Sequence, residues 1–470
     1  MITFDSDSES PFVSYALRLI RAFCGVQISA PDRSGRTSRS RIDVYHGNDL
    51  ARACSIRIPL LKRYSRDDVP IASSDDSPTY APVAGAPFPF DLFSAMRFWL
   101  ADEANELLPE NVYDQHDRLI SLQSVQESLG VREIPIVNSY LDLFGKWLRA
   151  RLGAETRPPW GEGKRCAVVL SHDVDSPVNP WDPRHALWAA WKAATAIEIR
   201  STAKNLVAAL RRMRRVLRGF DDRHWLFHEI MEVERGHGFR STFFLSSRPR
   251  DSQGANPSFD VDYDVRSPGF RAMCRDILAQ GFGIGLHISY NARENWREID
   301  RERQTLEAAA GTEVRGSRHH YWHMKRPFWT TLQDHGRAGL RYDSSIAFND
   351  DPGYRLGIAF PFHPWNPISA EPASIVEVPA MVMDGALLYG QKGASGEPLR
   401  QMARLLTTLK RFQGAAAIDW HVRTSYPGAR AYQGWGQTYL DILTLLASDR
   451  EIRVLTYEDI LADSIVAAQK

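Results

Sequence analysis

Cys166-Ala167-Val168-Val169-Leu170-Ser171-His172-Asp173-Val174-Asp175-Ser176 is the stretch on which the fold turns. Its first half is a short apolar run that reads as a buried strand. Its second half sets two carboxylates two positions apart, with a histidine before them. Side chains two apart on a strand share a face. Asp173 and Asp175 therefore point together, and His172 points away, toward a packing or hydrogen-bonding role. Chemistry carried at the end of a buried parallel strand is the habit of α/β sheets and barrels. Two carboxylates and a histidine suit a divalent metal with a base beside it; an Asp-rich turn is the plain alternative.

Downstream, strand-like runs recur with helical stretches between them: Ala167–Leu170, Ser241–Leu245, Gly283–His287, Val314–His320, Leu340–Ser344, Ile375–Pro379 and Ala415–His421. This rhythm predicts a parallel α/β barrel. Upstream, helical spacing is expected over Phe12–Cys24, Asp91–Glu106 and Ile136–Leu152, and a strand over Ser55–Leu61. Ser65–Pro87 is rich in Ser, Asp and Pro and reads as a loop. Ala154–Lys164, with Pro158, Pro159, Gly161 and Gly163, reads as a linker. The expected division is a smaller α+β N-terminal domain, residues 1–155, and a barrel, residues 165–470.

The 470 residues are 43% hydrophobic and 24% charged, which gives a sizeable core and room for two domains. A net charge of +1 gives no global attraction for nucleic acid or another polyanion, and no nucleic-acid partner is expected. Cys24, Cys54, Cys166 and Cys274 lack CxxC spacing and read as reduced thiols. No basic segment leads into an apolar stretch at the N-terminus, and no run of about 18 apolar residues occurs. The expectation is a cytoplasmic protein. Between the first two barrel strands, Leu206, Leu210, Met213, Leu217 and Phe220 make one apolar helical stripe. Arg211, Arg212, Arg214, Arg215 and Arg218 fill its other faces. That pattern fits a solvated helix packed on a domain, or a peripheral surface for acidic lipid head groups or an anionic saccharide.

Several barrel strands end in a metal-ligand or acid/base residue type: Asp173 and Asp175, then His287, then Arg318 and His320, then Asp343, and last His421. A lone histidine after a strand is most often structural. Repetition at successive strand ends converges on one face of a barrel.

These residues resemble the NodB-type polysaccharide deacetylases, carbohydrate esterases with a distorted (β/α) barrel and a divalent metal. Matching stretches are Asp173 and Asp175, Ser241-Thr242-Phe243-Phe244-Leu245, Gly285-Leu286-His287 and Trp420-His421. His172-Asp173-Val174-Asp175, Leu286-His287-Ile288-Ser289-Tyr290, Arg318-His319-His320-Tyr321, Tyr342-Asp343-Ser344, Gly353-Tyr354-Arg355-Leu356-Gly357 and Pro379-Ala380-Met381-Val382-Met383-Asp384 are similar to a bacterial subgroup with an additional N-terminal domain. The resemblance covers most of the chain. It implies Asp173 as catalytic base, Asp175 and His287 as metal ligands, His421 as acid and Arg318 as the arginine that orients the base. One departure stands out: where the family commonly has a second ligand histidine, this chain has Asn291. Arg318 and His320 share a strand face while His319 points away. If that face is the barrel interior, His320 completes the set with Asp175 and His287; Asn291 is the alternative ligand and His323 a weaker one. Mixed Asp/His ligation suits Zn²⁺, with Co²⁺, Ni²⁺ or Mn²⁺ also compatible. Tyr354 and Arg355 are open between substrate contact and structure.

The resemblance thus implies a metal-dependent hydrolase that removes an N-acetyl group from an amino sugar of a surface polysaccharide or its precursor, nucleotide- or lipid-linked forms included. An O-deacetylase or deformylase on the same barrel is the first rival. A catalytically inactive barrel that binds a saccharide or a partner enzyme is the second.

Overall fold

A computed structural model describes residues 2–28, 42–48, 54–60, 88–106, 108–177, 225–249, 252–389, 396–427, 432 and 434–469. Strands β1 (Phe4–Ser6), β2 (Ile42–His46) and β3 (Cys54–Ile58) form a parallel sheet in that order. Helix Pro11–Cys24 opens with proline, whose missing N–H would be unpaired there anyway, and Gly25 ends it in the left-handed region at φ 64. The Asp91–Glu106 pattern divides into helices Leu92–Leu100 and Glu103–Glu106, parted at Asp102, which has φ 53. Helix Ile136–Leu152 has the bounds its periodicity predicts. The Ser65–Pro87 stretch and the Arg211–Arg218 segment lie outside the described residues.

Strands β4 (Cys166–Val174), β5 (Ser241–Leu245), β6 (Gly283–Ile288), β7 (Gly316–His319) and β8 (Tyr342–Asp343) lie side by side in sequence order, all parallel. A small hairpin, β9 (Trp365–Asn366) with β10 (Glu371–Pro372), follows. Closure comes from one segment. Strand β11 (Val376–Glu377) pairs with β8, and β12 (Ala380–Met383), reached across Val378 and Pro379, pairs with β13 (Ala415–Asp419), itself parallel to β4. The two edges of the sheet thus belong to one extended stretch, so the parallel strands curl into a distorted (β/α) barrel. Each of the seven predicted runs is a strand. The sequence reading missed β14 (Ile452–Leu455), which pairs with the first half of β4 while β5 takes the second half.

Alternation along β4 and β13 sorts side chains into two cores. Ala167, Val169, Ala415 and Ala417 join one; Cys166, Val168, Leu170, Ala416 and Ile418 join the other, under helices Glu397–Arg411 and Trp435–Ser448. Two glycines make room for rings. A Cβ at Gly316 would lie 1.8 Å from the Tyr342 ring, and one at Gly285 would lie 2.5 Å from Phe244. Tyr342 then stacks on Tyr457 at 4.7 Å.

Residues on both sides of 154–164 share the first core. Phe12 packs edge-on to Trp365 and Phe23 to Phe360, each at 5.2 Å. Asn138 exchanges two 2.9 Å hydrogen bonds with the backbone of Ala359, and Val137 N donates to Gly357 O at 2.8 Å. The N-terminal elements are thereby bolted to the barrel wall. Among the described residues, no helix is long and apolar enough to cross a membrane.

Candidate active site

The strand ends meet. Strand β4 brings in Asp173, with Asp175 just past its end, and β6 carries His287; β7 carries Arg318 and hands His320 to the turn that follows. One oxygen of Asp175, Oδ1, lies 3.2 Å from His287 Nε2 and 3.2 Å from His320 Nε2. His287 Nδ1 lies 3.1 Å from the carbonyl oxygen of Arg318. Only an Nδ1–H can donate to that acceptor, so Nε2 is the ring atom that faces Asp175. Both His287 Nε2 and Asp175 Oδ1 are buried, and neither makes a well-aligned hydrogen bond among the described residues.

That donor set fits a divalent cation. Asp175, His287 and His320 each offer one ligand atom, all within 4.8 Å of one another. Metal–ligand bonds of about 2.1 Å at tetrahedral angles separate neighbouring donors by about 3.4 Å, close to what Asp175 shows with each histidine. Burial opposes the Asp175 charge, but His421, Arg423 and His320 hold its carboxyl well below the usual range. It is ionised, as a ligand must be.

Asp173 sits beside this group in a cationic clamp. Arg318 Nη1 donates to Asp173 Oδ1 at 2.9 Å and lies 2.8 Å from Asp419 Oδ1. Its Nε donates to Ser344 O at 2.9 Å, its Nη2 to Ser344 Oγ at 3.1 Å and to Tyr457 Oη at 3.0 Å. The guanidinium also lies over the Phe244 ring at 4.5 Å. Arg318 is fully buried, so this fork is fixed by its surroundings. Burial disfavours the Asp173 charge, yet Arg318, His287 and His421 keep its pKa below the carboxylate norm. Asp419 goes the other way: burial and the neighbouring Asp173 outweigh Arg318 and raise it well above that norm. One of this carboxylate pair thus stays charged while the other takes the proton.

His421 closes the site from β13. Its Nε2 lies 3.1 Å from Asp175 Oδ2, and its Nδ1 donates to Asp384 Oδ1 at 2.9 Å. Burial works against the charged ring and Arg423 opposes it, but Asp384 and Asp175 prevail and raise the His421 pKa well above the imidazole range. Sequence reasoning missed two residues here. Asp384 was quoted only as part of a stretch; its position at the start of helix Asp384–Leu388, next to the β12 end, was the available signal. Arg423, whose Nη1 donates to Asp175 Oδ2 at 2.8 Å, follows His421 by two positions and had no signal beyond that.

Other candidates go elsewhere. Asn291 is exposed. His323 is stacked on Tyr290 at 3.7 Å, and its Nδ1 donates to Tyr290 O at 2.9 Å. Asp343 stays outside the cluster because β8 turns it toward His335, 3.0 Å away. His172 is fully buried, with Nδ1 2.6 Å from Trp420 O and Nε2 2.7 Å from Glu234, the structural role its alternation predicts. Tyr354 is buried too, and Arg355 forms a double ion pair with Asp102 at 2.6 Å.

Fold and site together define a parallel (β/α) barrel whose strand ends gather an Asp/His group able to bind a metal. A family model described as a family of unknown function, DUF7033, matches residues 2–153. A search of curated proteins finds no significant match. Among solved structures, a protein of Mycobacterium smegmatis described as a polysaccharide deacetylase is 17% identical, over 66% of this chain and 92% of its own, with a TM-score of 0.40. A family 4 acetyl xylan esterase from Clostridium thermocellum, in complex with cobalt, is 12% identical over 63% and 90%, with a TM-score of 0.29. A family 4 pseudoenzyme from Bacillus anthracis is 12% identical over 63% and 66%, also at 0.29.

Proposed function

We propose that the chain is a metal-dependent hydrolase that removes an N-acetyl group from an amino sugar of a surface polysaccharide or its precursor. The observation that carries this reading is the Asp175–His287–His320 group flanked by a clamped base, Asp173, and a paired acid, His421. Asp175, His287 and His320 would hold the ion, Zn²⁺ by preference. When bound, it would polarise the scissile carbonyl and acidify a nearby water. Asp173, kept ionised by Arg318, takes the proton of the attacking water. Burial and Asp173 push Asp419 toward its neutral form, which favours Asp173 for that role. His421 gives its proton to the departing nitrogen, which is too basic to leave as an anion. The Asp384 carboxylate keeps that imidazole charged, and a charged acid is what an amide needs. An ester leaves more readily as an alkoxide, so the pairing favours N- over O-deacetylation. Retention of both base and acid speaks against an inactive barrel. Residues 1–155 would serve as an accessory unit to the 165–470 barrel.

The test is acetate release from N-acetylated amino sugars and their oligomers by protein loaded with Zn²⁺, Co²⁺, Ni²⁺ or Mn²⁺, before and after chelation. Release that chelation abolishes and metal restores is the expected result. Absence of both metal uptake and release rejects the reading.

A further inference from the structure

The N-terminal segment does more than pack on the barrel. Residues 101–106 and 108–119 face the loops after β7 and β8 across a groove of about 280 Å³. Asp102, Glu110, Tyr113, Arg326, Trp322 and Phe328 line it. On the floor, Asp102 and Arg355 are paired, and the Arg355 guanidinium lies 5.8 Å from the Phe328 ring. At the mouth, Arg326 pairs with Glu110 and lies 4.3 Å over Tyr113.

This groove adjoins the candidate active site. Tyr321 stands between them: its ring is 4.8 Å from that of His320 and 5.9 Å from the Arg118 guanidinium, and Arg118 also donates to Tyr321 O at 3.1 Å. One turn therefore delivers His320 to the site and Trp322 to the groove. Backbone strain gathers here as well. Of the six non-glycine residues with positive φ among the described residues, Asp102, Asp117 and Trp322 line the groove, and Tyr321 precedes Trp322. Such conformations are costly and concentrate where function requires them.

Charge selects the occupant. The groove walls carry four carboxylates and four cationic side chains, so their formal charges cancel. Asp102 is already paired with Arg355, and Glu110 and Asp117 with Arg326, so an ionic occupant would have to displace an existing partner to find its counter-charge. Charged donors and acceptors alternating with ring edges suit a neutral polyhydroxylated ring: hydroxyls bridge guanidinium and carboxylate, and the apolar sugar face meets the aromatics.

We propose that this groove is a subsite for a neutral sugar residue next to the one whose acetyl group is removed, so the substrate is an oligosaccharide held jointly by the N-terminal segment and the barrel. The inference rests on the reading in the preceding section. It is tested by titration calorimetry of the full chain with the β-1,4-linked N-acetylglucosamine tetramer. The wild type binds the tetramer. Arg326→Ala, a change at the groove mouth, weakens binding by about tenfold, and the isosteric Glu110→Gln by about threefold, the scale of single net hydrogen bonds. Circular dichroism checks that each variant is folded. No binding of the tetramer, or equal affinity in wild type and both variants, overturns the subsite. The two readings fail differently: acetate release with affinity indifferent to Arg326 and Glu110 removes the groove alone. Binding that depends on Arg326 without acetate release under any metal keeps the groove and removes the hydrolase.

Discussion

His421 Nδ1 donates to Asp384 Oδ1 at 2.9 Å, while the other carboxylate oxygen of Asp384 accepts from the His421 backbone N–H at 3.1 Å and from the Thr424 hydroxyl. The ring is thus fixed in both tautomer and orientation, with Nε2 facing Asp175. Although burial opposes it, the Asp384 charge is sustained by His421 and Thr424.

Asp384→Asn should therefore act through His421. The neutral amide no longer favours the imidazolium, so the alkaline limb of the kcat profile should move to lower pH. At neutral pH kcat should fall by about 100-fold, the scale of a lost general acid, with KM little changed. A pH–rate profile decides it. An unmoved alkaline limb would mean that Asp384 only packs.

Metal content tests the ligand set. Asp175→Ala, His287→Ala and His320→Ala should each lose most of the bound ion by elemental analysis. Asn291→Ala should keep it, since Asn291 is exposed while His320 has a donor atom within 4.8 Å of those of Asp175 and His287. Retention by His320→Ala together with loss by Asn291→Ala would reverse the assignment.

The expectation for His320 rests on alternation from Arg318. Strand β7 ends at His319, so the turn that follows it, not the pleat, sets where His320 points. Cys166–Leu170 and Ala415–Ile418 are short apolar runs of buried parallel strands and left a plain trace. Strand β14 did not: Ile452-Arg453-Val454-Leu455 carries a charge and is recognisable only through its pairing with β4. Closure of the barrel by Ile375–Met383 is a tertiary fact with no local signature. The same holds for Asp384 and Arg423, whose roles depend on distances across the site. Proline and glycine mark Ala154–Lys164 as a boundary along the chain, but composition cannot reveal that Phe12 and Phe23 will pack on Trp365 and Phe360 across it.

Arg318 joins stability to chemistry. It faces both Asp173 and Asp419 and is itself fully buried. Arg318→Met leaves a buried carboxylate without its cation and should cost about 3–5 kcal/mol in urea unfolding, with activity lost. Arg318→Lys restores the charge but cannot reproduce a fork that also reaches Ser344 and Tyr457. It should recover part of the stability while kcat stays depressed. Equal recovery of both would mean that charge alone is what Asp173 needs.

His323 predicts how stability responds to acid. Burial, with help from Arg293 and His116, lowers its pKa from 6.5 to about 4, against the favourable bond to Tyr290 O. A base with a depressed folded pKa binds its proton in the unfolded chain first. Its contribution is complete above pH 6.5 and declines as pH falls from 6.5 through about 4. The full shift corresponds to about 3 kcal/mol. His323→Asn keeps a side-chain N–H for the Tyr290 carbonyl but cannot take up that proton. Urea unfolding of wild type and variant between pH 7 and pH 4 should therefore give curves whose difference moves toward the variant by up to about 3 kcal/mol as pH falls. Parallel curves over that range would mean that His323 titrates alike in the folded and unfolded chain.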